Sequence, residues 1–202
     1  MLDTGIQLQN TSSFLEKLRQ SDNGLGSLVS DLEYTYLDPA KAEASSFMKY
    51  DVGLLVSYLE ECHREYRDLL LPNIFNSFDQ LLKNAPNCKL LHKAGPIILF
   101  GFKEDLIAHF NYEESSLFPY ARDLKQGKNR SDYSTSVFEN NHPKFVVDIE
   151  RLIKFFKWLS TDLETYMTYR ILMKRLGDLK TEFEVHGLIE DRVLIPKLKS
   201  LE

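Results

Sequence analysis

Two short segments of the chain carry a histidine followed four residues later by a glutamate. His109 and Glu113 form the first pair, and His186 and Glu190 form the second. On a helix, residues four positions apart lie on the same face one turn apart, so each pair directs both side chains the same way. Neutral imidazole nitrogens and carboxylate oxygens are ligands that suit iron, manganese and zinc. The two pairs therefore indicate a metal site.

The sequence around the two pairs is also repeated. Residues 109–119 and 186–196 share the pattern His-x-x-x-Glu-acid-x-x-Leu-apolar-Pro at an offset of 77 residues. Two further histidines, His63 and His142, lie 79 residues apart, and each has an aromatic residue three positions later. A repeated pair with matched flanks arises by chance far less often than a single pair. We therefore predict two similar halves, each with one single histidine and one His/Glu pair.

Helices must position these side chains, and the sequence predicts little other than helix. Only nine Gly and seven Pro interrupt 202 residues, and apolar residues recur at helical spacings of three and four. Long helices are predicted over residues 47–84, 96–125, 134–159 and 161–198, the last opening at a capping-box pattern that begins at Thr161. Short connections favour antiparallel neighbours, so the predicted fold class is all-α, with an up-down four-helix bundle.

The first part of the chain is predicted to lie outside this bundle. Residues 1–46 have the pattern of one or two short helices and are interpreted as an N-terminal helical appendage. Residues 47–202 are interpreted as the bundle domain.

The four predicted apolar faces hold the candidate ligands. Each face contains a histidine, and two of them also contain a glutamate. Burying an ionised carboxylate is so costly that the group normally pairs, shifts its pKa or binds a metal. The candidate metal ligands are His63, His109, Glu113, His142, His186 and Glu190. Six ligands exceed what one tetrahedral ion uses, and two carboxylates with two histidines per ion suit a dinuclear site.

Charge and composition argue against several classes of partner. The formal net charge is -5 and no run of Lys or Arg occurs, which argues against nucleic acid and anionic membranes. The apolar stretches are shorter than the roughly 20 residues of a spanning helix. The first residues do not resemble a signal peptide, and Cys62 and Cys88 are expected to be ordinary half-buried thiols, so we expect a cytoplasmic protein. His92 is predicted to lie in a surface loop.

The ligand pattern resembles that of the hemerythrin-like (HHE cation-binding) family over about residues 50–200. The order of one His, a His-x-x-x-Glu helix, one His and a second such helix is most similar to the iron–sulfur cluster repair di-iron proteins of that family. The tracts at residues 113–119 and 190–196 also look like the family's. The resemblance implies two iron ions in an oxo-bridged di-iron centre, with the four histidines as terminal ligands and Glu113 and Glu190 as bridges.

The resemblance also implies a function. We expect a non-heme di-iron protein that acts in oxidative or nitrosative stress, through iron–sulfur cluster repair or reaction with dioxygen, nitric oxide or peroxide. Reversible oxygen carriage is disfavoured because Val146 stands where oxygen carriers have a fifth histidine, and residues 1–50 lack the cysteine motif of the repair proteins. The alternatives are a sensing module that binds dioxygen or nitric oxide without turnover and signals to a protein partner through its N-terminal segment, and a structural bundle without metal.

Overall fold

The chain is built of helices joined by short connections. The computed structural model describes residues 14–20, 25–128, 133–141 and 145–202, and no β-strand occurs within these ranges. The α-helices in chain order are α1 (14–20), α2 (Gly26–Leu37), α3 (Val52–Glu65), α4 (Leu71–Asn84), α5 (Lys89–Tyr112), α6 (Phe118–Lys125), α7 (Thr135–Asn141), α8 (Phe145–Trp158), α9 (Ser160–Leu163), α10 (Met167–Ile189) and α11 (Ile195–Lys199). Short 3-10 helices at Pro39–Lys41 and Ala44–Phe47 connect α2 to α3. The predicted all-α class is confirmed.

Within the described ranges, three π-helical turns interrupt what the sequence predicts as regular helix. They span Tyr66–Leu70, Glu113–Leu117 and Glu190–Leu194. In each, the backbone N–H that follows the turn donates to the carbonyl of the turn's first residue, five positions earlier. Single π turns inside α-helices are rare and occur frequently at functional sites. Two of the three begin at a glutamate that the sequence picks out as a metal ligand.

The chain divides into two compact units. The first comprises Met1–His63, Tyr112–His142 and Glu184–Glu202, and the second comprises Arg64–Asn111 and Pro143–Phe183. In the first unit, α2 buries Leu28, Val29 and Leu32 completely. The hydroxyl oxygens of Tyr36 on α2 and Tyr58 on α3 are 3.1 Å apart. Helix α2 is therefore packed within this unit, and the domain boundary after residue 46 stays a prediction.

Aromatic rings form the interior of the second unit. The Phe78 and Phe156 rings meet edge to face with centroids 5.9 Å apart, a geometry that aromatic pairs prefer. A Cβ added at Gly95 would lie 2.9 Å from the Phe78 ring, so this position admits only glycine without a shift of the ring. Close packing of Phe78 is the structural reason for the glycine in the Gly95-Pro96 sequence.

Two predicted helix starts are wrong. Helix α5 begins at Lys89, with Pro96 inside the helix, because Gly95 serves packing and does not mark a helix boundary. His92 therefore lies on α5 and not in a loop, although its side chain is exposed as predicted. Its Nε2 atom is 3.1 Å from the Ala85 carbonyl oxygen. At Thr161, the capping-box pattern falls in the short helix α9, which a turn closes before α10 begins at Met167.

Candidate metal centre

Three candidate ligands converge within the first unit. His63 on α3, Glu113 after α5 and His186 near the end of α10 each offer one ligand atom, and these atoms all lie within 4.8 Å of one another. All three residues are buried. Bonds from a metal ion to imidazole nitrogen or carboxylate oxygen are about 2.0–2.2 Å long. Small side-chain movements therefore suffice for all three to bind one ion.

Consecutive glutamates flank the two nitrogens of the His63 ring. Nε2 of His63 lies 3.1 Å from Oε2 of Glu113, and Nδ1 lies 2.9 Å from Oε1 of Glu114. In a regular helix, neighbouring side chains point about 100° apart. The π turn that starts at Glu113 has more residues per turn, which reduces this angle and helps both carboxylates to face one imidazole.

The second His/Glu pair lies in the same unit. Nε2 of His186 is 3.5 Å from Oε2 of Glu190, and the Glu190 side chain is completely buried at the start of its own π turn. The His63 and His186 rings stack with centroids 5.2 Å apart and an interplanar angle of 23°. The Phe118 ring stacks on His63 at 5.4 Å. The first unit thus holds two imidazoles and two carboxylates that the sequence predicts as ligands.

The other two predicted ligands are placed differently. His109 belongs to the second unit, is buried, and lies four residues before Glu113 on the same run of helix. Its ring is 4.9 Å from that of Phe145. His142 lies outside the described residues. The participation of His109 and His142 in the centre stays a prediction.

Two tyrosines of the first unit interact through their hydroxyls. The hydroxyls of Tyr112 and Tyr133 are 3.2 Å apart. Burial first, and then the hydrogen bond with Tyr112, raises the pKa of the Tyr133 phenol, and the carboxylates of Glu113 and Glu190 raise this pKa further. Tyr112 directly precedes Glu113 in the sequence, whereas Tyr133 is remote along the chain and no sequence pattern marks it. Tyr133 therefore keeps its proton at neutral pH.

Other residues next to the predicted ligands along the chain make contacts of their own. Tyr66, three residues after His63, donates its hydroxyl proton to the backbone carbonyl of Glu182, 3.3 Å away. Cys62 is completely buried, whereas Cys88 is half-buried as expected. Glu114 was visible in the sequence only as the acid that follows Glu113. Its contact with His63 depends on the approach of α3, which no local pattern encodes.

The chemistry of the donor set fits a metal ion. Nε2 of His63 and Oε2 of Glu113 are 3.1 Å apart. A carboxylate oxygen and the lone pair of a neutral imidazole repel each other at this distance unless a proton or a metal ion lies between them. Imidazole and carboxylate are ligands that iron, manganese and zinc accept. The residues present therefore suit a transition-metal ion.

Comparison with known proteins agrees with this chemistry. The family model of the hemerythrin HHE cation-binding domain matches residues 54–198. No curated protein and no solved structure matches the chain. None of the helices in the described ranges combines the length and the apolar character that crossing a membrane requires. The matched segment contains every residue that the sequence predicts as a ligand.

Proposed function

Because the chain belongs to the hemerythrin HHE cation-binding family, we propose that it is a di-iron protein that reacts with dioxygen, peroxide or nitric oxide. The observation that carries this proposal is the convergence of His63, Glu113 and His186 within 4.8 Å. The proposed ligands of the two ions are His63, His109, Glu113, His142, His186 and Glu190. Glu113 and Glu190 are proposed to bridge the ions, as the family resemblance implies.

The packing and burial of this chain's residues suit them to hold such a centre. Bound iron would supply one-electron redox chemistry and an exchangeable position for a small ligand. The stacked rings of His63, His186 and Phe118 hold the imidazoles in place and limit the approach of bulk water. Complete burial of Glu113 and Glu190 strengthens their attraction to a cation, because few water molecules compete for the carboxylates.

The proposed biological role is a response to oxidative or nitrosative stress. Burial of the ligands favours small reactants such as peroxide or a diatomic gas. Repair of iron–sulfur clusters is the finer form of this proposal, and it rests on the order of the ligand motifs. Direct turnover of the small reactant would make the protein an oxidoreductase, and the cytoplasm is the proposed location.

One observation favours a sensing module as a second candidate. The N-terminal helix α2 contacts α3 through the hydroxyls of Tyr36 and Tyr58, which are 3.1 Å apart. Helix α3 also carries His63, so a change at His63 has a direct structural connection to the N-terminal segment. Turnover of nitric oxide or peroxide with an added reductant would support the enzyme. A ligand-dependent change in protease sensitivity of α2 without turnover would support the sensor and its protein partner.

Metal analysis tests the di-iron centre, which both candidate functions require. The purified protein is expected to contain about two iron ions per chain and to show the near-ultraviolet absorption typical of a di-iron centre. His186→Ala removes a proposed ligand and is expected to lower the iron content. His92→Ala is the matched control, because His92 contacts the Ala85 carbonyl instead. One zinc per chain with no iron, or equal iron contents in the two variants, would contradict the proposal.

A further inference from the structure

We propose that Glu114 is a positioning residue that fixes the tautomer and orientation of His63 for metal binding. This inference rests on the proposed function, because it assigns a role around a proposed ligand. The Oε1 atom of Glu114 lies 2.9 Å from Nδ1 of His63. The sequence marks Glu114 only as one acid of a repeated pattern, and Glu114 is not among the six proposed ligands.

The direction of the hydrogen bond follows from the chemistry of the two groups. An ionised carboxylate accepts hydrogen bonds and does not donate them, so the proton between the two residues belongs to Nδ1 of His63. A neutral imidazole carries one proton, which leaves Nε2 with its lone pair. Nε2 is the atom that faces Glu113 at 3.1 Å. Glu114 therefore selects the tautomer in which the lone pair faces the proposed metal position.

The surroundings of the His63 ring leave Glu114 as the group that holds its Nδ1 proton. The His63 side chain is completely buried, whereas about a third of the Glu114 side chain is exposed. Glu114 thus stabilises the Nδ1 proton from the edge of the site, while Phe118 and His186 contact the faces of the ring. Carboxylates that accept a proton from a ligating histidine orient the ring and raise its basicity. We therefore expect Glu114 to strengthen metal binding through His63 and to lower the reduction potential of the ion that His63 binds.

The experiment compares Glu114→Ala, Glu114→Gln and Glu60→Gln in the full chain. Glu60 is the matched control because its side chain has a similar exposure, 30% against 33%, and it pairs with Arg122 within the same unit. Removing an outer carboxylate of this kind typically weakens metal binding about 10- to 100-fold. We expect Glu114→Ala to weaken iron and Co²⁺ binding by such a factor, measured by competition with a chelator. Glu60→Gln is expected to retain the wild-type affinity.

Two measurements separate positioning from a general effect on folding. In the zinc-loaded protein with ¹⁵N-labelled histidine, the Nδ1 proton of His63 is expected to give a hydrogen-bonded resonance that Glu114→Ala loses. Glu114→Gln keeps an amide oxygen as acceptor, so it is expected to restore the resonance and part of the affinity. The midpoint potential of the iron-loaded protein is expected to rise in Glu114→Ala and to stay unchanged in Glu60→Gln.

The outcomes distinguish this inference from the proposed function. If the wild type binds metal and Glu114→Ala keeps both the affinity and the Nδ1 resonance, the role of Glu114 is wrong and the metal centre stands. If the wild type binds Co²⁺ but not iron, the di-iron function fails, and the Co²⁺ affinities of the variants still decide the role of Glu114. If the wild type binds neither metal, both proposals are overturned.

Discussion

Glu113 and Glu190 have completely buried carboxylates. An oxygen of Glu113 lies 3.1 Å from Nε2 of His63, and an oxygen of Glu190 lies 3.5 Å from Nε2 of His186. Burying a charge removes its hydration, which costs several kcal/mol unless attraction to a partner compensates. A divalent or trivalent ion compensates more strongly than a single proton because of its higher charge. At the scale of single residues, the metal is therefore the partner that best explains why glutamate occupies these positions.

The effect of metal on stability tests the role of Glu113. Metal that binds only the folded state raises the free energy of unfolding by about 2.7 kcal/mol at a free concentration 100 times the dissociation constant. Glu113→Gln replaces a charged ligand with a neutral one, so this increment is expected to shrink. The measurement is urea unfolding with and without added Zn²⁺. Glu139→Gln, which removes an exposed partner of Lys199, is the control, and equal increments in the two variants would show that Glu113 is not a ligand.

The three π turns share a feature that is visible in the sequence. Each turn begins six residues before a proline, at Tyr66 before Pro72, Glu113 before Pro119, and Glu190 before Pro196. Proline has no N–H to donate, and its ring clashes with the carbonyl four residues earlier. A wider turn just before the proline relieves this clash, because the preceding N–H bonds five residues back instead. A proline thus follows the π turn at each proposed bridging glutamate, and relief of its clash is consistent with the wider turn.

This mechanism also explains how far prediction from sequence reached. The His/Glu spacing predicted which side chains share a helix face, and His63, Glu113 and His186 do converge. The π turns were missed because one extra residue in a turn leaves the apolar spacing almost unchanged. A third, partial copy of the repeated pattern lies at residues 62–72. It was missed because Cys62 and Tyr66 stand where the other two copies have His and Glu. The signal shared by all three π turns is the proline six positions after the first residue of the turn.

Replacing the prolines tests this account at the level of the helix. Pro119→Ala restores an N–H that can donate to the Ser115 carbonyl four residues earlier and so favours a regular helix. A regular turn would redirect Glu114 and Phe118, which both contact His63. We expect the metal dissociation constant to rise about tenfold, which corresponds to about 1.4 kcal/mol.

Pro72→Ala provides the control for this prediction, because the π turn before Pro72 begins at Tyr66 and not at a glutamate. Chelator competition on both variants measures the dissociation constants. Equal constants for Pro119→Ala and Pro72→Ala would contradict a role for the π turn at Glu113 in metal binding.

At the scale of the whole molecule, titratable groups outside the proposed centre contribute to the dependence of stability on pH. A hydrogen bond from Lys49, with a second from Tyr50, lowers the pKa of Asp31 below its ordinary value of 3.8. Partial burial of Glu202 opposes a shift, but hydrogen bonds from Thr135 and Tyr120 lower its pKa below 4.5. Burial and the bond to Glu202 raise the pKa of Tyr120 to about 12. These groups favour the folded state over different pH ranges.

The direction of each shift gives the expected pH profile. A carboxyl group with a lowered pKa adds stability above its ordinary pKa, and this contribution is lost as pH falls through the pKa of the folded state. Asp31 and Glu202 therefore predict weakening below about pH 4.5. A phenol with a raised pKa adds stability below its ordinary pKa of 10.0, and for Tyr120 this contribution is lost as pH rises from 10.0 to about 12.

Urea unfolding of the metal-free protein from pH 3 to pH 11 measures this profile, with Glu202→Gln and Tyr120→Phe as the informative variants. Glu202→Gln is expected to be less stable than the wild type at pH 7, because it weakens the hydrogen bonds from Tyr120 and Thr135 to residue 202. The difference in stability should shrink below pH 4.5, because protonation of Glu202 weakens these bonds in the wild type as well. The wild type should lose stability above pH 10 more steeply than Tyr120→Phe, because phenylalanine has no proton to release. A difference between wild type and Glu202→Gln that stays constant from pH 7 to pH 3 would show that the carboxylate of Glu202 does not stabilise the fold through its charge.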